Sequence, residues 1–127
     1  MQIERLDHFV LTVRDVDTTI SFYQTVLGMA PVTFGSGRRA LVFGQSKINL
    51  HPANAPLAPH ASHPVPGSAA LCFVTTESPQ LVIDHLRKCG ITIEEGPVPR
   101  TGALGPITSV YFRDPDGNLI EVSSYRE

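Results

Sequence analysis

Three short stretches of this chain carry side chains suited to work at a divalent ion or at a proton. His8 lies in Leu6-Asp7-His8-Phe9-Val10-Leu11-Thr12-Val13, Asn49 and His51 lie in Lys47-Ile48-Asn49-Leu50-His51, and Glu121 lies in Leu119-Ile120-Glu121-Val122. Imidazole and carboxylate are ligand types for divalent ions such as Zn, Ni, Mn and Fe. Both also exchange protons near neutral pH when their surroundings tune them. In all three stretches apolar residues recur at every second position, the period of a β-strand. His8 therefore faces away from Phe9, Leu11 and Val13. Asn49 and His51 share a face opposite Ile48 and Leu50, and Glu121 points away from Ile120 and Val122.

The elements that must position these residues occur twice. The strand pattern ending at Val13 precedes a helical stretch in which Val16, Ile20, Tyr23 and Leu27 recur at helical spacing. Asp15 or Asp17 caps its start and Gly28 suits the left-handed position after its last turn. Ala69–Val74 repeats the strand, and Ser78-Pro79 opens a second helix, with Val82, Leu86 and Cys89 as its inner stripe and His85 on its surface. Short strands follow each helix: Leu41-Val42-Phe43 and Ile48–His51 in the first copy, and a hairpin around Asp114-Pro115-Asp116-Gly117 in the second. The expected architecture is α+β, two βαβββ modules forming a curved mixed sheet around a cleft. Module 1 spans about 6–51 and module 2 about 68–125 within a single domain of 1–127. Aligning the opening strands sets Ala69, Leu71 and Phe73 toward the cleft.

Residues 52–67 contain Pro52, Pro56, Pro59, Pro64 and Pro66, which excludes a helix and a central strand and reads as a stiff linker. His60 and His63 fall there as solvated loop residues. Residues 94–106, rich in glycine and proline, read as a loop over the cleft in which Arg100 either meets a carboxylate or phosphate of a substrate or is a surface arginine. Cys72 and Cys89 lie on apolar stretches and read as buried, reduced thiols. With 127 residues, 42% hydrophobic and 17% charged, the composition is that of one globular domain, and a net charge of −2 offers no general attraction to nucleic acid or acidic membranes. No apolar run is long enough for a bilayer and no leader pattern opens the chain, so the expected location is the cytoplasm.

Leu-Asp-His near the start, Phe-Tyr followed by Leu-Gly-Met, and Asp-Pro-Asp-Gly-Asn-Leu-Ile-Glu near the end resemble the vicinal oxygen chelate superfamily. That superfamily includes glyoxalase I, extradiol dioxygenases, fosfomycin-resistance thiol transferases and bleomycin-binding proteins. Lys47–His51, His63–Ser68 and Glu95–Gly102 further resemble its glyoxalase domain-containing proteins and their short bacterial relatives. The resemblance implies a divalent metal ion, with His8 as the opening ligand and Glu121 as the closing one. It also implies a homodimer and a small-molecule substrate. The chain departs from the pattern where Asn49 replaces a glutamate and Ala69 or Ala70 replaces a histidine. His51, on the face of Asn49, restores a third donor. The implied metal set is His8, His51 and Glu121. Glu121 and His51 are the catalytic candidates, and Asn49, Arg100 and Phe73 the substrate-binding ones.

The leading expectation is a glyoxalase-like, metal-dependent lyase, isomerase or dioxygenase acting on a small oxygenated metabolite. The alternative is a metal-free protein of the same fold that sequesters a small molecule or drug in an apolar pocket lined by Ala69, Leu71 and Phe73.

Overall fold

The computed structural model describes residues 1–125. The chain divides into two compact units, Met1–Ser68 and the remainder from Ala69 onward. Unit 1 contains β1 (His8–Val13), α1 (Val16–Leu27), β2 (Ala30–Phe34), β3 (Arg38–Phe43) and β4 (Ser46–Pro52). Unit 2 contains β5 (Ala70–Val74), α2 (Pro79–Lys88), β6 (Glu95–Gly102), β7 (Gly105–Arg113) and β8 (Leu119–Ser124). Each unit is βαβββ, as expected, and among the described residues no helix is long and apolar enough to cross a membrane.

Each sheet has four strands, in the orders β1-β4-β3-β2 and β5-β8-β7-β6. The first strand of each unit pairs in parallel with its last, and the remaining pairs are antiparallel. In unit 1 the buried Leu11, Val13, Leu41, Ile48 and Leu50 alternate with a polar set, while α1 buries Thr19, Ile20, Tyr23 and Val26. Asp15 caps α1 by accepting from the Thr18 amide, and Gly28 closes it at φ 66°, the left-handed conformation that glycine adopts without strain. In unit 2, Val110, Phe112, Ile120 and Val122 are buried, as are Val82, Ile83 and Leu86 of α2. Each such side chain removed from water stabilises the unit by roughly 1.5–3 kcal/mol before ordering costs.

Three expectations change. The stretch 94–106 is not a loop: β6 occupies Glu95–Gly102 and pairs with β7 across a register shift. β2, with Pro31, is the strand of module 1 to which no residues had been assigned. Both are edge strands, where proline's missing N–H removes no bond from a central ladder, so proline was a misleading signal against a strand. The register of β5 is one residue later than the repeat alignment implies. Ala70 lies opposite Leu119, Cys72 opposite Glu121 and Val74 opposite Ser123, so Leu71 and Phe73 share the face of Ile120 and Val122. A one-residue slip moves every side chain to the other face. Finally, both cysteines are free, but Cys72 is exposed and Cys89 half-buried rather than buried.

Candidate functional site

The polar face of unit 1 is assembled by register. His8 stands opposite Lys47, Val10 opposite Asn49 and Thr12 opposite His51, with Ala40 of β3 on the other side of Asn49. Arg38, two residues before Ala40, lies on this face and is paired with Phe34 of β2. Asn49 and His51 are 5% and 7% exposed, yet Asn49 Oδ1 and His51 Nε2 have no hydrogen-bond partner. Leaving such a group unpaired costs about 1–3 kcal/mol. Burial lowers the pKa of His51 below its ordinary value, and the charges of Arg38 and His60 act in the same direction. The imidazole is thus kept in the neutral form that can donate a lone pair. His60 of the linker comes close enough to act on His51, but its own Nδ1 is bonded to the Ala61 carbonyl oxygen.

His8 is exposed and its Nδ1 lies 2.8 Å from Asp7 Oδ1, an orientation that leaves Nε2 outward. The hydrogen bond to His8 is the main cause that lowers the Asp7 pKa. A carboxylate behind an imidazole fixes its tautomer and strengthens it as a ligand.

The polar face of unit 2 centres on Glu121, whose register partners are Cys72 and Tyr111. Ser109 Oγ donates to Glu121 Oε2 at 2.6 Å, and Ser123 Oγ reaches the same oxygen at 3.3 Å. The two hydroxyls are 2.7 Å apart, and Cys72 Sγ lies 3.2 Å from Ser123 Oγ. Burial raises the Cys72 thiol pKa; the Ser123 hydrogen bond opposes this and the Glu121 charge adds to it, so the thiol stays protonated. An open depression of about 140 Å³ has Cys72, Tyr111, Leu119 and Glu121 in its lining.

Arg100 belongs to β6 and is already engaged. It donates to the Tyr111 hydroxyl at 3.0 Å, to the Pro99 carbonyl at 2.9 Å and to Glu95 at 3.1 Å. Its guanidinium is therefore engaged within the sheet, by Tyr111 and Glu95. Phe73 lies on the face away from Glu121, so its placement among the substrate contacts beside Glu121 is corrected.

Sequence reasoning missed Cys72, Ser109, Tyr111 and Ser123 in unit 2, and Arg38, Lys47 and Phe34 in unit 1. The second group carries no motif. Of the first, all but Cys72 were reachable: pairing outward from the Asp114–Gly117 turn sets Tyr111 opposite Glu121 and Ser109 opposite Ser123.

The donors fit a divalent ion in kind. Unit 1 offers a neutral imidazole with an unpartnered nitrogen and a second imidazole backed by a carboxylate. Unit 2 offers a carboxylate, Glu121, whose Oε2 accepts from Ser109. Among the described residues, no three His, Cys, Asp or Glu side chains gather into a metal-ion cluster.

Comparison with known proteins places these faces in a wider group. A family model described as the Glyoxalase/Bleomycin resistance protein/Dioxygenase superfamily matches residues 5–122. Virulence protein STM3117 of Salmonella typhimurium is 56% identical over 98% of this chain and 87% of its own length; its crystal structure superposes with a TM-score of 0.97 over 98% of this chain and 99% of that one. Glyoxalase domain-containing protein RDO1 of Mycosarcoma maydis is 54% identical over 100% of this chain and 72% of its own length. The fosfomycin resistance protein FosX of Listeria monocytogenes, solved with Mn(II) and sulfate, shares the fold at a TM-score of 0.68 and 18% identity, over 97% of this chain and 91% of that one.

Proposed function

The chain belongs to the glyoxalase/bleomycin resistance protein/dioxygenase superfamily, and on that premise we propose that it is a divalent-metal-dependent enzyme acting on a small oxygenated metabolite. The observation that carries this reading is His51: a buried, neutral imidazole whose Nε2 has no protein partner, on the same face as the unpartnered Asn49 Oδ1. Such groups are costly unless something supplied from outside meets them.

In this reading His8, His51 and Glu121 are metal ligands. Asn49 and the Tyr111–Arg100 pair contact substrate. The bound ion polarises substrate oxygens as a Lewis acid. Ser109 and Ser123 bond Glu121 through Oε2, and in this reading the carboxylate also meets a ligand or a proton. Protein that works this way assembles as a homodimer, acts in the cytoplasm, and catalyses an isomerisation, lyase or oxygen-insertion step. The Mn(II) in FosX supports the choice of a divalent ion for this fold.

The test is titration of chelator-treated, full-length protein with Mn(II) and Co(II) by calorimetry. Stoichiometric binding at micromolar or tighter affinity is expected, weakened at least about tenfold by His8→Ala, His51→Ala and Glu121→Ala, with circular dichroism unchanged. No binding at micromolar protein removes the reading. Small-molecule capture that chelator leaves unchanged makes the chain a sequestering protein instead.

A further inference from the structure

Several cations among the described residues are ion-paired. Arg39 is paired with Asp17 at 3.4 Å, Arg100 with Glu95 at 3.1 Å and Arg113 with Glu94 at 3.0 Å. Arg38 and Lys47 are different. The Arg38 guanidinium carbon lies 5.0 Å from the centroid of the Phe34 ring and Lys47 Nζ lies 3.8 Å from it. Two positive charges are therefore held at one aromatic ring, and among the described residues neither is within ion-pair distance of a carboxylate. Asp7, whose carboxylate Lys47 influences, is bonded to His8. An aromatic ring attracts each cation by about 0.5–2 kcal/mol but does nothing to cancel their mutual repulsion.

The same face presents the two unpartnered buried groups, Asn49 Oδ1 and His51 Nε2. Arg38 and Phe34 are register partners, Lys47 and Asn49 are two residues apart on β4, and Arg38 is close enough to act on the His51 imidazole. Positive charge without a counter-ion and hydrogen-bonding groups without partners thus occur together on one sheet face. Arg38 itself is exposed and Lys47 half-buried. These two are gathered at a ring beside buried polar atoms, which lowers the ordering cost of binding.

We propose that this face binds the oxyanion of a small substrate, a carboxylate or phosphoryl group next to a hydroxyl. Arg38 and Lys47 neutralise the anion, and Asn49 Oδ1 accepts the hydrogen bond of the adjacent hydroxyl. The inference rests on the reading above only in taking this face as a substrate face; it needs no metal ion.

The experiment uses isotopically labelled, full-length, chelator-treated protein titrated with glycolate, with its uncharged isostere glycolamide, and with inorganic phosphate, followed by NMR. Glycolate or phosphate is expected to shift the resonances of Arg38, Asn49 and His51 saturably, with glycolamide at least about tenfold weaker, the ratio a charge-assisted hydrogen bond supplies. Arg38→Gln and Lys47→Gln should each weaken the anion by about the same factor while resonances of unit 2 stay in place. Response to glycolate alone assigns the site to carboxylates, response to phosphate alone to phosphoryl groups, and either supports it. Equal binding of glycolamide, undiminished binding in both variants, or no shift at these residues overturns it. Because the ion is absent throughout, failure of the metal reading leaves this result standing, and the reverse also holds.

Discussion

Ser109 donates a 2.6 Å hydrogen bond to Oε2 of Glu121, and Ser123 reaches the same oxygen at 3.3 Å. The serine is fully buried while the glutamate is half-exposed, so the carboxylate is held from the buried side of the sheet. Ser109→Ala removes the shorter bond without adding bulk. It should lower stability by about 1 kcal/mol, read by urea unfolding, and weaken Co(II) binding about tenfold. Unchanged Co(II) affinity would show that Ser109 serves the sheet alone.

The hairpin that presents Glu121 is locked by a single carboxylate. Asp114 Oδ1 accepts from the amides of Asp116 and Asn118, and Oδ2 accepts from Asn118 Nδ2. Asn118 in turn accepts from the Ala69 amide at the entry to β5. Asn118→Ala therefore removes a partner from a buried carboxylate and another from a backbone amide. A loss of about 2–4 kcal/mol is expected, measured as a fall in the denaturant midpoint. A variant within 0.5 kcal/mol of the parent, on the scale of ordinary surface changes, would contradict it.

His51 sets a pH dependence whose sign follows from its lowered pKa. Above an ordinary imidazole value of about 6.5, the side chain is neutral in both the folded and unfolded chain and contributes no slope. Below it the unfolded chain takes up a proton that the native site resists, so stability falls as pH drops toward the lowered native value. Thermal unfolding of chelated protein between about pH 7.5 and about pH 5 should show a steeper decline than His51→Gln in the same buffers. Parallel curves would mean that the native imidazole titrates normally.

The repeat, the two helices with their caps and the central strands were legible because each carries a local signal: period two, period 3.6, Asp15, Gly28 and Ser78-Pro79. The faces of His8, Asn49, His51 and Glu121 followed from alternation. The edge strands β2 and β6 were not legible, since proline argues against a strand unless its place in the sheet is known. The face of Phe73 was lost because Ala69 and Ala70 offer no polar marker to fix the register against His8. The Arg38–Phe34–Lys47 grouping was out of reach altogether. It joins three strands through side-chain reach, and neither propensity nor spacing along the chain encodes that.

The parallel pairing of first and last strands has a consequence for biosynthesis. In unit 2 the strand that sits between β5 and β7 is β8, the last made. A nascent chain that has emerged only as far as the Asp114–Gly117 turn holds β5 and β7 with no ladder between them, and their apolar residues lack the Ile120 and Val122 that complete the layer. Unit 1 meets the same condition earlier, when β4 arrives between β1 and β3. Each unit thus closes in one late, long-range step, which raises its contact order and keeps partly made chains open to chaperones. The first unit can complete its sheet while the second is still being translated.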